Sequence, residues 1–432
     1  MDERSQPGPR AVLRLMGLSA LLGVIVALFF QAFEWSSRKV QHWLWSSVPG
    51  EHPAVWYTIA LATVGGLLVG LAIRFLPGHG GAHPADGHGL VDAAHEASPP
   101  RFTHILAAVF IGWLGLVAGA SLGPEGALFP AVIGLSVLMA RRGRVAEQMR
   151  PLAVGAGIGA VLAAMLGNPL AGVVPLLELI PTTTSFATTM MVLPSLVAAS
   201  VSVLTIRLVG AHPLVGMGLE YAGFRPVHVV WVVLVAVVAG AAGLIVDQAT
   251  AVLRRFTRRV DARSVVLMGG LGGLVLGLLY AIGGVDVRFS GMPELVHLIS
   301  DTQHARGAVL ALAVKAAATA WCLAAGYRGG KIFPVVFIGG ATGLALHLLI
   351  HPIPLGLAVG VGLAAAMATA LAAPVMAAML TASLVGTTLV PLAILGVVVA
   401  HVVHLLADQV AAQEATPAGA APAPSTGGGS PN

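Results

Sequence analysis

The stretch Ser121-Leu-Gly-Pro-Glu-Gly-Ala-Leu-Phe-Pro130 sets one carboxylate, Glu125, between two glycines in an apolar region. Ile105 to Ala120 before it and Ala131 to Ala140 after it carry no charge. An ionisable group with such flanks lies at bilayer depth, where its cost makes a functional reading the default. Gly123, Pro124 and Gly126 predict an interrupted helix, and Pro124 suits the first turn of a new one. Interrupted backbone at membrane depth is tolerated only where it lines a cavity or is covered by protein. The expectation is a helix N-terminus inside the membrane with a carboxylate at its mouth. That is an anion site carrying an anion of its own.

Composition agrees. Only 9% of the 432 residues are charged and 57% are hydrophobic, against about 25% charged in soluble domains. The chain therefore reads as an all-α polytopic integral membrane protein, long enough for roughly ten or more spans. The net charge of +5 comes mostly from arginine runs in loops, such as Arg254-Arg-Phe-Thr-Arg-Arg259. These speak for topology and lipid headgroups rather than nucleic acid. The single cysteine, Cys322, excludes intrachain disulfides and thiolate metal clusters. Residues 1–10 form a short polar tail without a cleavage site, so the first apolar run is expected to stay as a span. Arg4, Arg10 and Arg14 favour a cytoplasmic N-terminus. Residues 411–432, rich in Ala, Pro, Gly and Ser, are expected to be disordered. Trp43, Trp45 and Trp56 read as interfacial anchors.

Four histidines, His79, His83, His88 and His95, cluster after the second span. They lack a second ligand cluster, so a loop is favoured over a metal site. No cofactor is expected, and no Ser/His or paired-Asp arrangement suggests an intramembrane hydrolase.

The chain also repeats itself. Gly126-Ala-Leu-Phe-Pro130 matches Gly330-Lys-Ile-Phe-Pro334, and Gly167-Asn-Pro169 matches Ala372-Ala-Pro374. Upstream, Gly81-Ala-His-Pro84 corresponds to Ser290-Gly-Met-Pro293. Interrupted helices at matching places in two halves point to a repeat fold with its site near the midplane. Repeat one is placed at about 11–225 and repeat two at about 226–406. Helix N-termini carry unsatisfied N–H groups and partial positive charge, which suits a desolvated anion. The lining would be backbone amides from the Gly80, Gly123 and Gly330 regions.

Taken together these breaks resemble the CLC chloride channel and proton/chloride exchanger family. Gly123-Pro-Glu-Gly126 resembles its Gly-Arg-Glu-Gly-Pro motif, Gly329-Gly-Lys-Ile-Phe-Pro334 its Gly-Gly-x-Phe-x-Pro motif, and Asn168-Pro-Leu-Ala-Gly172 through Glu178 its Pro-Leu-Ala-Gly helix. The resemblance implies an inverted-repeat fold with many tilted and broken helices and a homodimer with one pathway per subunit. It implies chloride or a similar small anion as the substrate and a location in the bacterial inner membrane. It also implies that Glu125 is the gate, blocking the outer anion site when ionised and leaving it when protonated. Gly80, Gly81, Gly123, Pro124, Gly126, Gly330, Lys331, Ile332 and Phe333 fall at the family's anion-lining positions. Lys331 and Ile332 take the places of its amide donors.

The departures matter as much. The first motif is degenerate, with Gly81 near the pore serine's place. Glu178 is followed by Leu179, where exchangers carry the second acid of a doublet, and it is either a structural acid or a step on a proton path. His401 and His404 are the nearest counterparts of the inner-gate tyrosine. Lys315 reads as structural, while the Lys331 side chain either raises anion occupancy or snorkels to an interface. No cytoplasmic regulatory domains are expected. The missing internal acid tilts the reading towards channel-like conduction, with proton-coupled exchange as the alternative and a metal or cation transporter behind both. An enzyme is not expected.

Overall fold

The computed structural model describes residues 8–50, 53–77, 101–179, 185–210, 217–261 and 264–415. Gly80, Gly81 and the four histidines of the 79–95 segment lie outside them. Among the described residues the chain forms fifteen α-helices. The first seven are α1 (Pro9–His42), α2 (Val55–Phe75), α3 (Phe102–Val117), α4 (Glu125–Arg142), α5 (Arg150–Leu166), α6 (Pro169–Leu179) and α7 (Ser185–Leu208). The other eight are α8 (His228–Asp261), α9 (Val265–Gly283), α10 (Met292–Asp301), α11 (Ala305–Ala324), α12 (Ile332–Leu349), α13 (Leu355–Ala370), α14 (Pro374–Leu384) and α15 (Val390–Ala415). Eight helices are long and apolar enough to cross a membrane.

The repeat is visible in helix lengths. α1 and α8 both have 34 residues, α4 and α12 both 18, and α6 and α14 both 11. The halves are inverted. Glu178, at the end of α6, accepts hydrogen bonds from the Val375 and Met376 amides at the start of α14 (3.1 and 2.9 Å). In return Asn168, before α6, donates to Ser383 near the end of α14 (3.3 Å). Each helix end meets its counterpart's beginning, so the two run antiparallel. α2 and α9 form a second self-matching pair, pressed together through glycine. A Cβ on Gly66 would meet the Gly269 carbonyl oxygen at 2.2 Å, and one on Gly273 the Ala62 oxygen at 2.0 Å. Small residues let helices approach this closely where lipid supplies no hydrophobic drive between them.

Four readings change. Both α4 and α12 begin two residues past a glycine, Gly123 and Gly330. The repeat therefore aligns Gly123, not Gly126, with Gly330. Phe-Pro recurs in both segments, but Pro334 lies in the first turn of its helix and Pro130 well inside α4. α1 starts at Pro9, inside the stretch assigned to the N-terminal tail, with proline at the first helical position. α15 continues to Ala415, because Ala411-Ala-Gln-Glu-Ala415 are strong helix formers. Trp45 is no anchor. It is 2% exposed and its indole N–H donates to the Val117 carbonyl (3.0 Å), whereas Trp43 and Trp56 are exposed.

The breaks are satisfied internally, as a low-dielectric interior requires. The last carbonyls of α3 and the turn after it take Gln41 on Leu116 (2.8 Å), Trp45 on Val117 and Tyr280 on Gly119 (2.6 Å). The turn before α10, where Phe289 has φ +53°, presents three carbonyls to one ammonium. Lys315 Nζ donates to the oxygens of Val287 (3.2 Å), Arg288 (3.0 Å) and Phe289 (2.6 Å) and lies 5.2 Å from the Phe337 ring centroid. The structural reading of Lys315 agrees with this cage. Lys315→Met should lower the thermal unfolding midpoint in detergent by several degrees, since each buried carbonyl left without a donor costs about 1–3 kcal/mol. An unchanged midpoint would show that water replaces the ammonium.

Candidate anion site

α4 and α12 point their N-termini at each other. The junction is a pair of backbone hydrogen bonds between glycines, Gly123 N–H to Gly330 O (2.8 Å) and Gly330 N–H to Gly123 O (2.9 Å). Helix N-termini expose amide donors and partial positive charge, so two of them meeting creates a strongly anion-favouring point inside the protein.

Glu125 fills that point. It is the first residue of α4, preceded by Pro124, and is 3% exposed. Its Oε1 accepts the amide of Ile332, the first residue of α12, at 2.8 Å. Its Oε2 is buried without a hydrogen-bond partner. The carboxyl group thus occupies the space to which two helix mouths direct their donors, and leaves one oxygen unsatisfied there.

Only glycine allows this. A Cβ on Gly330 would sit 2.0 Å from Glu125 Cγ, and one on Gly123 would sit 2.0 Å from Oε2. A Cβ on Gly126 would meet the Gly329 carbonyl carbon at 2.2 Å. Of the residues expected at the site, Gly123, Pro124, Glu125, Gly126, Gly330, Lys331, Ile332 and Phe333 come together at this junction.

Four side chains fall elsewhere or behave differently. Glu178 caps α14 with both carboxylate oxygens, as described above. The Lys331 ammonium neither snorkels nor stands alone, because Asp247 of α8 holds it through both oxygens (2.9 and 3.0 Å). His401 and His404 stack on one another in α15 with ring centroids 6.2 Å apart, and His404 Nε2 is 3.4 Å from Asp408. Among the described residues no three His, Cys, Asp or Glu side chains gather as metal ligands.

Sequence reasoning passed over Asp247. Its signal was present: it is the first charge after the apolar run Val229 to Val246, and an acid at the end of such a run calls for a partner. Glu294 was also missed. With Glu34, Arg38, His42 and Pro124 it lines a cavity of about 270 Å³ between the end of α1 and the start of α10.

These features define a polytopic membrane protein of two inverted halves whose helix mouths meet around one acid. The family model described as voltage gated chloride channel matches residues 65–405. A Salmonella schwarzengrund protein provisionally designated ion-transport protein YfeO is 30% identical over 359 residues, covering 81% of this chain and 84% of its own. Two solved structures share the fold. A slow cyanobacterial Cl−/H+ antiporter superposes with TM-score 0.77 at 19% identity, over 95% of this chain and 100% of its own. A CLC-type fluoride/proton antiporter superposes with TM-score 0.78 at 18% identity, over 92% and 97%. The chain belongs to the voltage-gated chloride channel, or CLC, family of membrane anion transport proteins.

If the close approach of Gly330 to Glu125 shapes the site, Gly330→Ala should displace the carboxyl group from the Ile332 amide and remove most of the pH dependence of anion flux from proteoliposomes. A wild-type pH profile would show that the carboxylate does not need this seat.

Proposed function

We propose that this protein exchanges a small inorganic anion, chloride or fluoride, for protons, and that Glu125 both blocks the anion path and carries the proton. The observation behind this reading is the Ile332 amide on Glu125 Oε1. A carboxylate held there takes donors that an anion needs, and a neutral carboxyl group is a far weaker competitor for them. Protonation therefore frees the amides, and anion binding favours the protonated acid, which links the two ions in one site. The antiporters that share the fold support exchange over the channel-like conduction favoured by the sequence.

Channel-like conduction is the second reading, favoured by Glu178. Both of its oxygens are engaged by α14 amides, so it is poorly placed to pass protons inward.

The reading includes a homodimer. α6 and α14 have 11 residues each, about 16 Å at the helical rise, well short of the roughly 30 Å hydrocarbon core. Short helices at membrane depth call for protein cover, and Leu170, Leu177 and Val375 on this pair are exposed. A second copy meets that need. A bacterial inner membrane suits the Salmonella relative.

Chloride efflux and proton uptake recorded together from proteoliposomes test the proposal. Wild type should move protons in fixed ratio to chloride, with flux rising as pH falls. Glu125→Gln should keep passing chloride, move no protons and lose most of the pH dependence. Chloride efflux without proton uptake in wild type would establish the channel reading instead, and an unaltered pH profile in the variant would remove Glu125 from the gate.

A further inference from the structure

Lys331 precedes the amide that holds Glu125, and its backbone forms the N-cap of α12. A lysine at that place would put a permanent positive charge beside the anion site. Asp247 answers it. The two form an ion pair through both carboxylate oxygens, with side-chain exposures of 17% for Lys331 and 38% for Asp247.

That partial exposure locates the pair. Asp247 follows the uncharged run Val229 to Val246 in a membrane-spanning helix. An apolar run of that length crosses most of the hydrocarbon core, so Asp247 stands towards the end of the span, where a carboxylate faces water or protein rather than lipid.

Asp247 is also held firmly. Gly243, one turn earlier on the same face, packs so tightly that a Cβ would lie 2.3 Å from Thr369 Oγ1 and 2.6 Å from the Ala366 oxygen. Thr369 Oγ1 donates to the Gly240 carbonyl at 2.9 Å. α8 is thus pinned to α13, and its next turn presents Asp247 to Lys331 in a fixed position.

We propose that Asp247 and Lys331 form a charge latch at the water-facing mouth of the anion site. Asp247 is a positioning residue that acts through Lys331. Its carboxylate competes with an arriving anion for the ammonium, so the anion is drawn in without being trapped. Release is completed when Asp247 takes the ammonium back. The latch sets how tightly the site holds its ion and therefore how fast it turns over. This inference rests on reading the α12 mouth as the anion site.

Two measurements test it, the chloride dependence of flux from proteoliposomes and calorimetric titration of chloride into the purified protein. Asp247→Asn keeps the shape and removes the charge. It should bind chloride at least about tenfold more tightly, lower the half-saturating concentration and reduce maximal flux. Lys331→Gln should weaken binding. In the double variant Asp247→Asn/Lys331→Gln the tightening of chloride binding should disappear, because the ammonium through which it acts is gone. Asp247→Glu should restore the wild-type balance of affinity and rate. A purely structural pair would lower stability in both single variants without tightening chloride binding, and that result would overturn the latch. Tightened chloride binding that persists in the double variant would also overturn it. Wild-type protein that binds and passes neither chloride nor fluoride would refute the anion-site reading itself, a failure distinct from that of the latch.

Discussion

The hydrogen bond from the Ile332 amide to Glu125 Oε1 is the constraint on which the rest of the structure turns. For it to form, two helices from opposite halves of the chain must begin at the same point inside the protein. Their backbones must then touch, which the Gly123–Gly330 pair accomplishes. No side chain fits at either glycine, because the carboxyl group itself takes the room. The glycines, the proline at the N-cap and the interrupted spans are consequences of bringing donors and acid together away from lipid.

Interrupting helices in a membrane leaves carbonyls and amides without their usual partners, and each unsatisfied group is expensive in hydrocarbon. Three of the described breaks are answered by side chains drawn from distant segments. Tyr280 and Trp45 reach the end of α3, Lys315 fills the turn before α10, and Glu178 caps α14. Among these charged residues, Lys315 and Glu178 serve the backbone, while Glu125 stands at the junction of the two helix mouths. A charge inside the membrane therefore requires partners to be identified before a role is assigned. Glu178 and Lys315 have backbone partners that account for them, whereas Glu125 keeps an unsatisfied buried oxygen.

Much of this was legible in the sequence because it depends on local chemistry. Gly123-Pro-Glu-Gly126 between uncharged flanks gave the broken helix and its acid, and the second half showed its own break at Gly329-Gly330. Pairings between remote residues were not legible. Nothing in the local pattern joins Lys331 to Asp247, 84 positions earlier, because α8 and α12 meet only through the fold. Trp45 looked like an anchor because tryptophans near span ends usually are, and its burial depends on a carbonyl at the end of α3. The repeat register slipped by three residues for a related reason. A recurring Phe-Pro is conspicuous in sequence, while the true match rests on where each helix begins.

That corrected register explains how two similar halves produce one asymmetric site. The equivalent first residues of α4 and α12 are Glu125 and Ile332, and they are the two residues that hydrogen-bond each other. Acids at both positions would set two carboxylates against one another in a buried space, where like charges cannot both remain ionised. Apolar residues at both would leave opposed amide donors with only a mobile anion to satisfy them. With an acid on one helix and a bare amide on the other, one carboxylate oxygen takes the opposing amide and the other stays without a partner. Pseudo-symmetry thus supplies the two mouths, and a single difference between them supplies the acid that bonds across the junction.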